Sequence, residues 1–175
     1  DRYNMPKLYA IGEALIDFIP QTKGVELKRV KGFESQVGGA PANVASCVAK
    51  LGGESALITQ LGNDAFGDLI TETLDEQGVD TSFIQRTDEA NTGLAFVSLT
   101  ESGERDFAFY RKPSADMLLN QSTIQTDFQS TDMLHFCSVD LIPSPMKEAH
   151  VEVIERMESA GGTIIFDPNL RFPLW

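Results

Sequence analysis

The chain has little sulfur, little basic charge and no long apolar run. Two cysteines, Cys47 and Cys137, have neither metal-site spacing nor a disulfide framework, and both read as buried thiols of a reducing compartment. Lys and Arg total 14 against 26 Asp and Glu, for a formal charge of −12, which excludes the basic face that a nucleic-acid partner needs. No stretch of twenty apolar residues occurs, so no segment reads as a membrane-spanning helix. Leu8 to Pro20 is interrupted by Glu13 and Asp17 and does not read as a signal peptide, and Met5 reads as a start after Asp1 to Asn4. A cytoplasmic location is the expectation. Neither G-x-x-x-x-G-K-[ST] nor G-x-G-x-x-G is present, so a P-loop enzyme and a Rossmann dehydrogenase are unsupported. His135 and His150 stand apart from each other and read as a strand residue and a surface helix residue.

What is present centres on Gly38-Gly39-Ala40-Pro41-Ala42-Asn43, followed by small and apolar residues up to Gly52-Gly53. Glycines open backbone angles closed to other residues and leave no Cβ in a ligand's way. Pro41 suits a first helical turn. The loop therefore directs amides and a helix N-terminus at one point, suited to hydroxyls or developing negative charge, with Asn43 as both donor and acceptor. A Gly-Gly pair also marks an ordinary turn, and the spacing alone leaves both readings open.

The remaining pattern predicts α/β architecture. Strands are expected at Lys7 to Ile11, Leu15 to Ile19, Ala56 to Gln60, Gly93 to Thr100, Arg105 to Tyr110, Thr131 to Cys137 and Thr163 to Asp167. Helices are expected at Ala40 to Leu51, Asp64 to Gln77 and Pro143 to Ala160. Alternating strand and helix demands a mainly parallel, doubly wound sheet. Gly93 to Tyr110 breaks the alternation as a hairpin turning at Glu101-Ser102-Gly103-Glu104. With Leu15 to Phe33 it is expected to form a second, small sheet.

Asp17 shares a strand face with Leu15 and Ile19, which leaves it as either a solvated strand-end acid or a ligand group. Arg105, Phe107, Phe109 and Arg111 share one face of their strand; Gly93, Ala95 and Val97 form a small-residue face opposite. Arg105 reads as a hairpin cap or the partner of a local acid. Asp167-Pro168-Asn169-Leu170-Arg171 follows the last strand at the end where open α/β sheets bind ligands.

Six residues separate Ala45 from Gly52 and nine separate Gly52 from Gly62. With Gly38, Gly39 and Asn43, this spacing resembles the N-terminal signature of the ribokinase-like (PfkB) carbohydrate kinases. The resemblance runs from about Leu8 to Trp175, is nearest the fructokinase branch, and is reinforced by the D-x-N-x-R element at Asp167 to Arg171 and by Ala115-Asp116. It implies a ribokinase-like fold of which residues 1–175 are the N-terminal part of a single domain, with lid segments at about 15–35 and 92–112. It implies transfer of the γ-phosphoryl of ATP to a sugar, D-fructose above all, with aminoimidazole riboside and 2-keto-3-deoxygluconate as alternative substrates. A non-catalytic sugar-binding fragment is the alternative of another class.

The resemblance assigns Asp17, Gly38, Gly39, Asn43, Phe107, Phe109, Arg111 and Arg171 to substrate binding and Asn169 to the nucleotide. Leu15 replaces the polar residue that ribokinases proper carry, which points away from ribose. ATP and Mg2+ are the implied cofactors, with a K+ requirement left open, and a homodimer through the lid is the implied assembly. The G-A-G-D motif with the family's catalytic base and the N-x-x-E element are absent from these residues, so the base is expected beyond Trp175.

Overall fold

The computed structural model describes residues 5–102 and 105–174, so Gly103 and Glu104 of the expected turn lie outside the described residues. Five parallel strands form the main sheet: β1 (Lys7–Ile11), β4 (Glu54–Gly62), β5 (Ile84–Thr87), β8 (Met133–Cys137) and β9 (Thr163–Asp167), in the order β5-β4-β1-β8-β9. The period of two sorts each strand between two cores. Tyr9, Ile11, Ile58, Leu134 and Phe136 face α3 (Pro145–Ser159), whereas Leu8, Ala10, Leu57 and Leu61 face α1 (Ala40–Lys50) and α2 (Ala65–Glu76). Helices thus cover both faces, as a parallel sheet requires. β5 was not anticipated, because Ile84 is the one large apolar residue in its four.

The second sheet joins β2 (Leu15–Pro20), β3 (Phe33–Gly38), β6 (Gly93–Leu99) and β7 (Arg105–Tyr110) in the order β3-β2-β6-β7. β2 runs parallel to β6 and antiparallel to β3, and β6 runs antiparallel to β7. The register pairs Asp17 with Ala95 and Ala95 with Phe109, which puts all three on one face. On the other face Phe18 stacks on Phe96 at 4.8 Å and meets Phe66 of α2 edge-on at 5.6 Å.

Two expectations are corrected. His150 is fully buried, because Met146, Ala149, His150, Val153 and Met157 form the inward stripe of α3. Burial lowers its pKa to about 4, so the ring is neutral and its Nδ1, 2.7 Å from the Met146 carbonyl, donates to it. Cys47 is exposed, since α1 turns Ala42 and Ala45 inward and Cys47 lies off that stripe; Cys137 is buried as expected.

Candidate functional site

The order in which strands join the sheet reverses between β1 and β8: the path from β1 leads to β4 on one side, while the parallel β8 lies on the other. Such a switch point opens a crevice at the carboxyl ends of the strands. Here it holds a cavity of about 230 Å³. β2 contributes Leu15 and Asp17 to it, the start of α1 Gly39, Ala40 and Asn43, and β7 Arg105, Phe107 and Phe109. The segments after β8 and β9 add Val139, Asn169 and Arg171.

Each position has a local cause. Gly39 caps α1 with φ of 99°, and a Cβ there would lie 2.5 Å from the Glu13 carbonyl oxygen. Pro41 occupies the first turn as its fixed φ allows, leaving Asn43 exposed at the cavity. Gly38 does not line the cavity. It is buried beside Asp17, whose Oδ2 would lie 2.1 Å from a Cβ at that position, so its bareness makes room for the carboxylate. Burial raises the Asp17 pKa, and the positive charge of Arg105 opposes the rise. Phe107 and Phe109 stack at 5.5 Å and also border a second cavity of about 400 Å³ lined by Met117, Ile142 and Leu174. Asn169 sits at φ 41°, a left-handed conformation that asparagine tolerates better than most residues.

Arg111 lies apart from the other predicted site residues. It borders the second cavity, not the first, and is 5% exposed. Its guanidinium pairs with Asp116 at 2.5 Å and with Asp140. Residue 111 lies just past β7, where strand alternation no longer governs direction. A buried guanidinium needs carboxylates, and both of its partners are buried too. The small-residue face is also occupied in part by protein: a Cβ on Gly93 would meet Ser114 at 3.3 Å.

Reasoning from sequence alone missed Arg105 and Glu13. Arg105, expected to cap the hairpin or to partner a local acid, borders the cavity, where its charge acts on Asp17. Glu13 is 3% exposed, and its carboxylate lies 3.6 Å from Cys137 Sγ. Burial raises its pKa to about 7; the amides of Glu13 itself and of Ala40 and the charge of Arg111 oppose the rise, and Asp116 adds to it. Its acidic side chain within an apolar strand-to-strand turn was the available signal. Asp140 is likewise driven well above the ordinary carboxylate range by burial and by Asp116. For Asp116 burial is outweighed by Arg111 and the groups that hydrogen-bond to it, and its pKa falls.

The family model for pfkB family carbohydrate kinases matches residues 5–175. This chain belongs to that family. A probable fructokinase-5 from Arabidopsis thaliana is 44% identical over 173 residues, which is 98% of this chain and 53% of the relative. A fructokinase from Xylella fastidiosa superposes with a TM-score of 0.87 at 40% identity, over 97% of this chain and 52% of that one. A fructokinase from Vibrio cholerae O395, solved with fructose, ADP and calcium bound, gives 0.86 at 37% identity, over 98% and 53%. The chain therefore spans about half the length of the relatives it matches, and its doubly wound core and small sheet are those of the N-terminal half of the fructokinase fold.

Proposed function

We propose that this chain is the sugar-binding half of an ATP-dependent kinase whose substrate is D-fructose, phosphorylated at its 6-hydroxyl. One observation carries this reading: Asp17 and Asn43 meet across a cavity at the switch point, bordered by the stacked rings of Phe107 and Phe109. Paired acceptors and donors against an aromatic wall suit a polyhydroxyl ring. Asp17, Gly39 and Asn43 hold the sugar, and Gly38 gives Asp17 its place. The four-stranded sheet acts as a lid whose phenylalanines exclude water.

Arg171 lies at the cavity to steady transferred charge, with Asn169 beside it toward the nucleotide. ATP supplies the phosphoryl group. ATP would bring Mg2+ with its phosphates, and the general base and any K+ site are assigned to the part of the family's fold that this chain does not span. A homodimer through the lid sheet and a cytoplasmic location complete the reading; none of the described helices is long and apolar enough to cross a membrane.

For a keto-acid substrate, Arg111 is the lid arginine that could meet the carboxylate. The charge of Arg111 is already matched by Asp116 and Asp140, which favours a neutral sugar. The test is ATP-dependent phosphorylation by the polypeptide completed with its second half, with fructose, aminoimidazole riboside and 2-keto-3-deoxygluconate in competition. Fructose is expected to win, and Asp17→Ala to lower kcat/KM about a hundredfold or more. Fructose binding without turnover would establish a sugar-binding module instead.

A further inference from the structure

The turn between β1 and β2, Gly12-Glu13-Ala14, is pressed against the start of α1 at several points. Gly12 sits at φ 143°, and a Cβ there would lie 2.6 Å from Pro41 Cγ. A Cβ on Gly39 would lie 2.5 Å from the Glu13 carbonyl oxygen and 3.1 Å from Ala14 Cα. Glu13 then turns its side chain into the same corner. It is 3% exposed and lines the cavity beside Gly39, Ala40 and Asn43. The amide of Ala40, first residue of α1, favours the ionised carboxylate. Gly39 caps this helix without a side chain of its own. The buried Glu13 side chain thus lies in the same corner as the first turn of α1, at the helix end that favours an acidic group.

We propose that Glu13 is a positioning residue for the ligand loop: its carboxyl fastens the first turn of α1, and so fixes where Gly39 and Asn43 meet the ligand. Glu13 needs no contact with the ligand for this. Its other neighbour is the Cys137 thiol, at 3.6 Å and 3.7 Å from the two carboxyl oxygens, so the carboxyl also ties α1 to the end of β8. Three elements that converge on the cavity are thereby held to one group. A residue of merely structural importance would lower stability without changing how α1 begins.

Two readouts test this, and only one depends on the sugar assignment made above. The first is hydrogen exchange of peptides covering residues 38–46, measured without ligand. Glu13→Ala is expected to speed exchange at the Ala40 amide at least tenfold, whereas Glu13→Gln, which keeps an acceptor, stays near the wild-type rate. If Glu13→Ala does not fold, Glu13→Asp, which withdraws the carboxyl by one methylene, carries the same expectation. The second is kinetic, in the completed kinase: the fructose KM rises at least tenfold in Glu13→Ala, the ATP KM stays within twofold, and Glu13→Gln restores most of the loss. Unchanged exchange at residues 38–46 overturns the proposal, and so does equal damage by Ala and Gln. If the wild type ignores fructose, the functional reading fails while the exchange experiment still decides the role of Glu13.

Discussion

Arg111 Nη2 lies 2.5 Å from Asp116 Oδ2, with both side chains almost wholly buried. Asp140 completes the cluster from the segment after β8. One guanidinium thus ties the end of the small sheet to the main sheet. Removing it leaves Asp116 as a buried charge with no counterion, a loss of about 3–5 kcal/mol. Arg111→Met is expected to lower unfolding free energy by that amount in urea titrations. The double variant Arg111→Met/Asp116→Asn should recover part of it, since the stranded charge is gone.

Gly38 tests whether the Asp17 carboxylate must sit where it does. In Gly38→Ala the new methyl would fall 2.1 Å from Asp17 Oδ2, so the carboxylate must swing aside. The displaced group is the end of a side chain, so the fold survives with a loss on the order of 1 kcal/mol. Fructose KM in the completed kinase is expected to rise about tenfold or more, with Tm shifted only a few degrees.

Asp64 is a structural acid, not a site residue. It caps α2 by accepting from the Gly67 amide at 2.8 Å, and it accepts from the Thr92 amide and hydroxyl at 2.8 Å each. Burial opposes ionisation there, but these bonds and Arg86 prevail, and its pKa is lowered. Asp64→Ala is expected to cost about 1–2 kcal/mol at neutral pH. The contribution is present above the unfolded-state pKa near 4 and lost as pH falls through the lower folded value. Wild type and variant should therefore converge in acid denaturant titrations.

Glu13 has the opposite sign. Its folded pKa of about 7 lies above the ordinary glutamate value of 4.5, so the fold favours the neutral form. That contribution is whole below about pH 4.5 and is lost as pH rises through 7. The groups facing Glu13 are Arg111, Asp116, Asp140 and the Cys137 thiol, and burial and Glu13 push the thiol well up. Glu13→Gln carries no charge to bury. Its stability relative to wild type is expected to climb from pH 5 to pH 8 by roughly 1–3 kcal/mol, read by urea melts at each pH.

Local pattern alone determined a good deal of this protein. Short, mostly apolar runs such as Leu8 to Ile11 and Leu134 to Cys137 specify strands, because a strand buried on both faces is apolar along its length. The glycine-rich start of α1 and the turn after β9 specify their own conformations, since few residues other than glycine and asparagine adopt positive φ readily. The last two stretches carry Asn43, Asn169 and Arg171, and the fold brings these to one cavity with Asp17 of β2.

Tertiary structure decided what depends on distant neighbours. Whether Arg111 faces a ligand or the interior depends on Asp140, 29 residues away, and no pattern local to β7 contains that acid. Glu13 looks like a stray acid in an apolar segment until Ala40 and Cys137 close around it. Arg105 shares a face with Phe107 in any strand, but only the pairing of β7 with β6 and of β6 with β2 brings it beside Asp17. Burial of charge is a property of the assembled fold, because it is the enclosing neighbours that remove water and set which partner a charged group must take.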